Sequence, residues 1–373
     1  MDPPSLRSCE WVLSSREALD SVRCIAFAGG AVRGLEYIGV LDALKSARGI
    51  DWGVGVPHKL RGVSGTSIGA LFALMLAVGF SVAEIRAWGA LVQPTSVVAI
   101  SWHNVVNGCM ALDDGARLRA LVSSIIATKA RGARDMTFRT FVSTFGVDLV
   151  VVATDVRAFG VRYLRAATDP DVSVVSAVVA SMSLPLIFPP VHVGNAVLVD
   201  GGVMDNIPPV TLWRAEEVLG LALSVNVLPP DETTQSHVRA LITTTSLAAG
   251  MCAWRVMPRA YKERCLVLRT DNRVGIPSLS MHLDPEAIEQ LIQCGRQEML
   301  DALAGRPDPR RDEALRGDVT HCLDADLLQG RQLPLFLASV PDAASADAGN
   351  AADATTLALL AVLHALIERR ASS

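Results

Sequence analysis

The 373-residue sequence predicts an α/β fold, a mainly parallel central sheet with helices on both faces in three layers. Three observations carry this. Continuous apolar runs at Val22–Ala28, Asp148–Ala153 and Val218–Val227 lack the alternation of a half-exposed strand and read as strands buried on both faces. Helical stripes stand between such runs, as parallel pairing requires. Half of the residues are hydrophobic and 19% are charged, so a sizeable core can be buried.

Residues 1–20 form a polar, proline-containing lead-in. Val22–Ala28 ends at Gly29-Gly30, and a helix follows with Leu35, Ile38, Leu41 and Leu44 on one stripe. Leu60-Arg61-Gly62-Val63 is strand-like and runs into Gly65-Thr66-Ser67-Ile68-Gly69, after which Ile68–Phe80 reads as a buried helix. Ser81-Val82-Ala83-Glu84 is a capping box, so a new helix starts there and runs to about Val92, where Pro94 stops it. Pro94–Gly115 is irregular and apolar, with Trp102, Met110 and Leu112. It reads as ordinary packing, with a cover over an active site as the alternative.

Asp148–Ala153 is a strand, Val172–Met182 a helix of small and branched residues, and Ala196–Val199 a short strand ending in Asp200-Gly201-Gly202. Val218–Val227 and Cys265–Leu268 give two more strands. Asp284-Pro285 is an N-cap with proline at the first helical position, and Ile288, Leu291, Ile292, Met299 and Leu303 mark the helix that follows. Beyond Gly305 the composition changes to a charged, proline-containing linker, an Ala/Asp stretch at Val340–Ala354 and a short apolar helix at Leu357–Ile367. The expected division is a lead-in at 1–20, a catalytic domain at 21–304, and a linker with a helical tail at 305–373.

A net charge of −4 offers no basic footprint, so nucleic acid is not an expected partner. Seven dispersed cysteines, an odd count without a C-x-x-C pair, fit reduced thiols in a cytoplasmic protein better than a disulfide framework or a zinc site. The N-terminus lacks a basic region followed by an apolar one, so no signal peptide is expected. Gly62–Ala83 and Val172–Val199 are long and uncharged, but the first has too short an apolar run and prolines break the second. No transmembrane span is expected. The oligomeric state is left open.

A strand turning sharply into a helix around Gly-x-Ser-x-Gly is a nucleophile elbow, which makes Ser67 the candidate nucleophile. The turn pushes its hydroxyl out of the strand end, toward the positive end of the following helix dipole. Such a serine needs a base and an oxyanion site. The Gly29-to-Gly34 turn is the candidate oxyanion site, because adjacent main-chain amides can converge on one oxygen; a tight connection needing glycine for its backbone alone is the other reading. The glycines do not fit G-x-G-x-x-G, which counts against a dinucleotide site. The base is either Asp200 itself, with Gly201-Gly202 letting its carboxylate reach a neighbouring strand end, or a histidine following it (His237, His282 or His321) in a triad. A carboxylate near pKa ~4 is a weak base unless an apolar cleft raises it.

The sequence also resembles the patatin-like phospholipase family. Four blocks match in order: Phe27 to Gly34 with Tyr37 to Leu41, Gly65 to Gly69, Ala180 to Pro185 with Phe188-Pro189-Pro190, and Val199 to Pro208. Weaker echoes lie at Met136-Thr137-Phe138 and Val152-Ala153-Thr154-Asp155, and the likeness spans roughly residues 22–303. The resemblance implies a Ser67–Asp200 dyad, oxyanion donors at the amides of Gly29, Gly30 and Ala31, and acyl-ester hydrolysis on glycerolipids at a membrane or micelle surface without metal or cofactor. Many members carry glycine where Ala31 stands, so a positive φ at that position would strain the turn. Arg33 matches the family's basic residue and is a candidate contact for a lipid phosphate, with pairing to a nearby carboxylate as the alternative. The expected function is a phospholipase A-type lipid acyl hydrolase. A neutral-lipid lipase, lysophospholipase or acyltransferase with the same dyad, and a catalytically silent lipid-binding module, are the rivals.

Overall fold

Alternation of bulky and small residues along the buried strands decides how the layers form. In β1 (Cys24–Phe27), Ile25 and Phe27 point to one face while Cys24 and Ala26 point to the other. β7 (Val218–Leu223) and β8 (Cys265–Leu268) repeat this, with Leu219, Leu221, Leu223, Leu266 and Leu268 on the bulky side. That side carries a thick helical layer. On the other, Cys24, Ala26, Val218 and Cys265 meet Val210, Met257, Trp213 and Tyr261. There the cover, among the described residues, consists of short turns and the one-turn helix Arg259–Lys262. The computed structural model describes residues 14–53, 60–91, 97–98, 111–207, 210–223, 257–268 and 283–306.

Nine helices, α1 to α9, lie among the described residues: Arg16–Asp20, Glu36–Arg48, Ile68–Ala77, Val82–Leu91, Ala116–Lys129, Phe138–Phe145, Val174–Ser181, Arg259–Lys262 and Pro285–Leu303. Their starts are legible chemically. Ser81 Oγ accepts from the Glu84 amide while the Glu84 carboxylate accepts from the Ser81 amide at 2.8 Å, the reciprocal capping box that opens α4. Asp284 caps α9 through the Ala287 amide at 2.7 Å, with Pro285 next in line. Ser173 caps α7 through the Ser176 amide. α5 and α6 go beyond the sequence expectation; α5 buries Leu118, Val122, Ile125 and Ile126 along one stripe.

The remaining strands are β2 (Gly62–Thr66), β3 (Asp148–Asp155), β4 (Gly160–Leu164), β5 (Val191–Val193) and β6 (Ala196–Asp200). The sheet order is β5-β6-β3-β2-β1-β7-β8, with β4 also on β3. The half made of β3, β2, β1, β7 and β8 is parallel throughout. β4, β6 and β5 join it antiparallel, which the sequence does not announce.

Register on β3 fixes how the two halves meet. β4 pairs with Val151–Asp155 and overlaps both β2, which ends opposite Val152, and β6, which pairs with Ala153–Asp155. A strand has only two hydrogen-bonding edges, so β2 and β6 share the edge opposite β4. They run toward each other along it. Thr66 stands opposite Val152 and Asp200 opposite Ala153, so the two strand ends abut.

Several expectations lie outside the described residues: His237, His282 and His321, the Leu357–Ile367 helix, the strand beyond Leu223 and most of Pro94–Gly115. The end of that last segment packs back on the domain, with the Leu112 and Asp113 amides donating to Leu186 O and Ile187 O. No helix among the described residues is long and apolar enough to cross a membrane.

Candidate active site

Ser67 sits between β2 and α3 at φ 54, ψ −125, a conformation that strains a non-glycine residue. Close crossing explains the flanking glycines. A methyl group at Gly65 would collide with Gly69 O, and one at Gly69 with Ala28 O and Phe27 O. The elbow therefore closes directly onto the end of β1. Strain is held by a side chain from another element: Ser181 Oγ, at the end of α7, accepts the Ser67 amide at 2.9 Å.

Ser67 Oγ donates to Asp200 Oδ2 at 2.6 Å, a short charge-assisted bond. Asp200 Oδ1 accepts from the Gly202 amide at 2.7 Å, which orients the carboxylate, and the Asp200 amide donates to Ser183 O at 2.9 Å. Burial pushes the Asp200 pKa up to about 6, against the opposing pull of its bonds to Ser67 and Gly202. A carboxylate in that range is a far better proton acceptor near neutrality than an exposed aspartate.

The glycine turn is stitched to the Asp200 loop by Asn206. Its carbonyl accepts the Gly29 amide at 3.2 Å, and its Nδ2 donates to Gly29 O at 3.2 Å. A methyl at Gly29 would strike Asn206 Oδ1 and lie 3.2 Å from Ser67 Cβ, so only glycine lets the turn approach this closely. The stitch corrects one expectation. The Gly29 amide hydrogen is already committed to Asn206 O, so it is not free for an oxyanion. The amides of Gly30 and Ala31 have no acceptor among the described residues. Ala31 has φ 48, so the alanine occupies a left-handed position where glycine carries no penalty.

For Arg33 the structure takes the alternative, pairing with a nearby carboxylate, over the phosphate contact. The residue is 3% exposed; Nε donates to Glu36 Oε1 at 2.9 Å and Nη2 to Leu268 O at 3.4 Å. The carboxylate one helical turn on has drawn it inward, where it ties the glycine turn to β8 instead of facing a substrate phosphate.

Further supports were not singled out in the sequence. Tyr163 on β4 donates to Asp205 Oδ2 at 2.9 Å, and Thr66 Oγ1 donates to Asp205 O at 3.2 Å. Burial raises the pKa of Asp205, and burial beside the Asp205 carboxylate raises that of Tyr163. Ser181 and Ser183 lie in the matched block Ala180 to Pro185, so one helix end braces the main chain of both Ser67 and Asp200.

A sequence model of the patatin-like phospholipase family matches residues 25–213, half of the chain. The chain belongs to the patatin-like phospholipase family. The matched span holds the glycine turn, the elbow, Ser181, Asp200 and Asn206 of this patatin-like chain. Among relatives, a probable lipid hydrolase of Invertebrate iridescent virus 6 is 24% identical over 189 residues, covering 50% of this chain and 61% of its own length. An uncharacterized NTE family protein of Mycobacterium bovis is 27% identical over 304 residues, covering 76% of this chain and 47% of its own. The chain thus spans about half to three fifths of the length of these curated relatives. Among solved structures, VipD from Legionella pneumophila aligns at a TM-score of 0.48 and 15% identity, over 76% of this chain and 67% of that one.

Proposed function

We propose that this chain is a phospholipase A-type lipid acyl hydrolase that cleaves fatty acyl esters of glycerophospholipids through a Ser67–Asp200 dyad. The observation that carries the reading is the 2.6 Å bond from Ser67 Oγ to the buried Asp200 carboxylate at a strained elbow. Family membership supports the lipid substrate.

In the proposed cycle Ser67 Oγ attacks the ester carbonyl carbon as its proton passes to Asp200 Oδ2. The carbonyl oxygen becomes an oxyanion and is steadied by the amides of Gly30 and Ala31. Collapse breaks the carbon–oxygen bond, and the departing lysolipid alcohol takes the proton from Asp200. Water then attacks the acyl-serine, gives its proton to Asp200, and releases the fatty acid as Ser67 is reprotonated. Asp200 is suited to both proton transfers by its raised pKa.

The catalytic unit is proposed to be residues 21–304, with 305–373 as linker and helical tail; α9 ends at Leu303 and Gly305 turns left-handed behind it. The odd, dispersed cysteines support a cytoplasmic enzyme. A fluorophosphonate probe with peptide mapping tests the nucleophile: labelling at Ser67 is expected, lost in Ser67→Ala. Product mass spectrometry on a mixed phospholipid and triglyceride panel tests the substrate. Free fatty acid with lysophospholipid is expected, and release from triglyceride alone would overturn the phospholipase reading.

A further inference from the structure

β3 does not stop where it leaves β2. It runs from Val152 to Asp155 and turns through residues 156–159 into β4. At about 3.3 Å per residue, this turn stands on the order of 10 Å beyond the level of Ser67. Among the described residues, the large apolar side chains left exposed are Phe159 at 86%, Val156 at 41% and Met204 at 41%. Two are on this turn and the third follows Asp200 in its loop. All three belong to the catalytic end of the sheet.

The turn is firmly built. Asp155 Oδ1 accepts the amides of Arg157 and Ala158 at 3.0 and 3.3 Å, and Arg157 Nη1 donates to Asn195 O at 3.2 Å, tying it to the β5–β6 turn. Phe159 is held at φ 49, a left-handed backbone that a bulky residue rarely adopts. Glycine would suit that position better, yet an aromatic ring stands there in water. Arg157 beside it is exposed and forms no ion pair among the described residues.

We propose that the Val156–Phe159 turn is a docking tip that seats the catalytic end on an anionic phospholipid bilayer. Phe159 and Val156 enter the acyl boundary, and Arg157 keeps its charge at the level of the lipid phosphates. The proposal rests on the lipid-hydrolase reading of the dyad beneath the turn. A protein partner fits less well. Among the described residues, the three side chains offer on the order of 300 Å², against about 800 Å² per side in a stable protein interface. An exposed turn between two strands, carrying a single aromatic ring, suits a deformable surface.

The test uses the full chain carrying Ser67→Ala, so that lipid is not consumed, in flotation with phosphatidylcholine vesicles with and without phosphatidylglycerol. It is expected to float with the anionic vesicles. Adding Phe159→Gly lowers the partition coefficient about tenfold, the scale for losing one buried aromatic side chain, while the unfolding temperature holds or rises. Arg157→Gln weakens binding to the anionic vesicles and leaves binding to neutral ones unchanged. Undiminished flotation of Phe159→Gly overturns the proposal. So does a Ser67→Ala protein that ignores vesicles but forms a dimer that Phe159→Gly dissolves. Failure of wild-type enzyme to cleave a water-dissolved short ester would instead remove the hydrolase reading, and the flotation result would stand separately.

Discussion

The two halves of the sheet supply the two members of the candidate dyad by different physics. In the parallel half, β1, β2 and β7 are buried along their whole length, and Ser67 is set mainly by main-chain geometry against packed neighbours, with one polar bond, from its amide to Ser181 Oγ. In the antiparallel wing, β4 and β5 are half-exposed, and Asp200 is set by polar stitches: Ser183 O, the Gly202 amide, and the Tyr163–Asp205 pair beside it. Ion pairs brace the same wing, Arg162 to Asp169 at 2.7 Å and Arg165 to Asp148. Damage to the first half should therefore read out as unfolding, and damage to the stitches as lost turnover in a folded protein.

Phe27→Ala attacks the buried half and carries the largest expected effect. Phe27 is fully buried against Tyr37, with ring centroids 5.0 Å apart. Chemical denaturation should show a loss of about 3–5 kcal/mol, with activity falling only as the folded fraction falls. Asn206→Ala removes the side-chain bond from Nδ2 to Gly29 O and leaves the main-chain bond in place; kcat on a short ester should drop, by up to about 100-fold, with KM and unfolding temperature little changed. A KM effect of that size with kcat intact would break the contrast. Ser181→Ala frees the Ser67 amide and should cost about tenfold in kcat. The smallest change runs the other way: Ala31→Gly relieves a left-handed alanine and should raise stability by up to about 1 kcal/mol in a thermal melt.

The same contrast governs what could be read from residues alone. The parallel strands were legible because burial on both faces demands unbroken apolar runs, and Cys265–Leu268 is bounded as the pattern implies. β4 and β5 were not. Gly160–Leu164 mixes Arg162 and Tyr163 into a half-exposed strand, and Val191–Val193 is three residues long. Helix α5 did carry a stripe, Leu118, Val122, Ile125 and Ile126, that helical spacing can find. At the site, Ser67 and Asp200 stood out because each lies on a glycine-flanked turn with local signature. Ser181 did not: its bond to Ser67 joins residues 114 apart, and only the fold creates it. Asn206 was visible as a matched residue, but its pairing with Gly29 was not. Arg33 has one sequence and two possible directions, and the structure turns it toward Glu36.

The most direct test of the join between the halves is kcat/KM on a water-dissolved short acyl ester as a function of pH, with Asp200→Asn measured alongside. In the proposed cycle the reactive form of Asp200 is the carboxylate, and burial raises its pKa to about 6, so that form is lost as pH falls through this value. A Ser67–Asp200 dyad gives a plateau at higher pH, a tenfold loss per unit below about 6, and an Asp200→Asn protein at least about a thousandfold slower throughout. Substantial activity in a folded Asp200→Asn protein, with dependence passing to His237, His282 or His321, would contradict it.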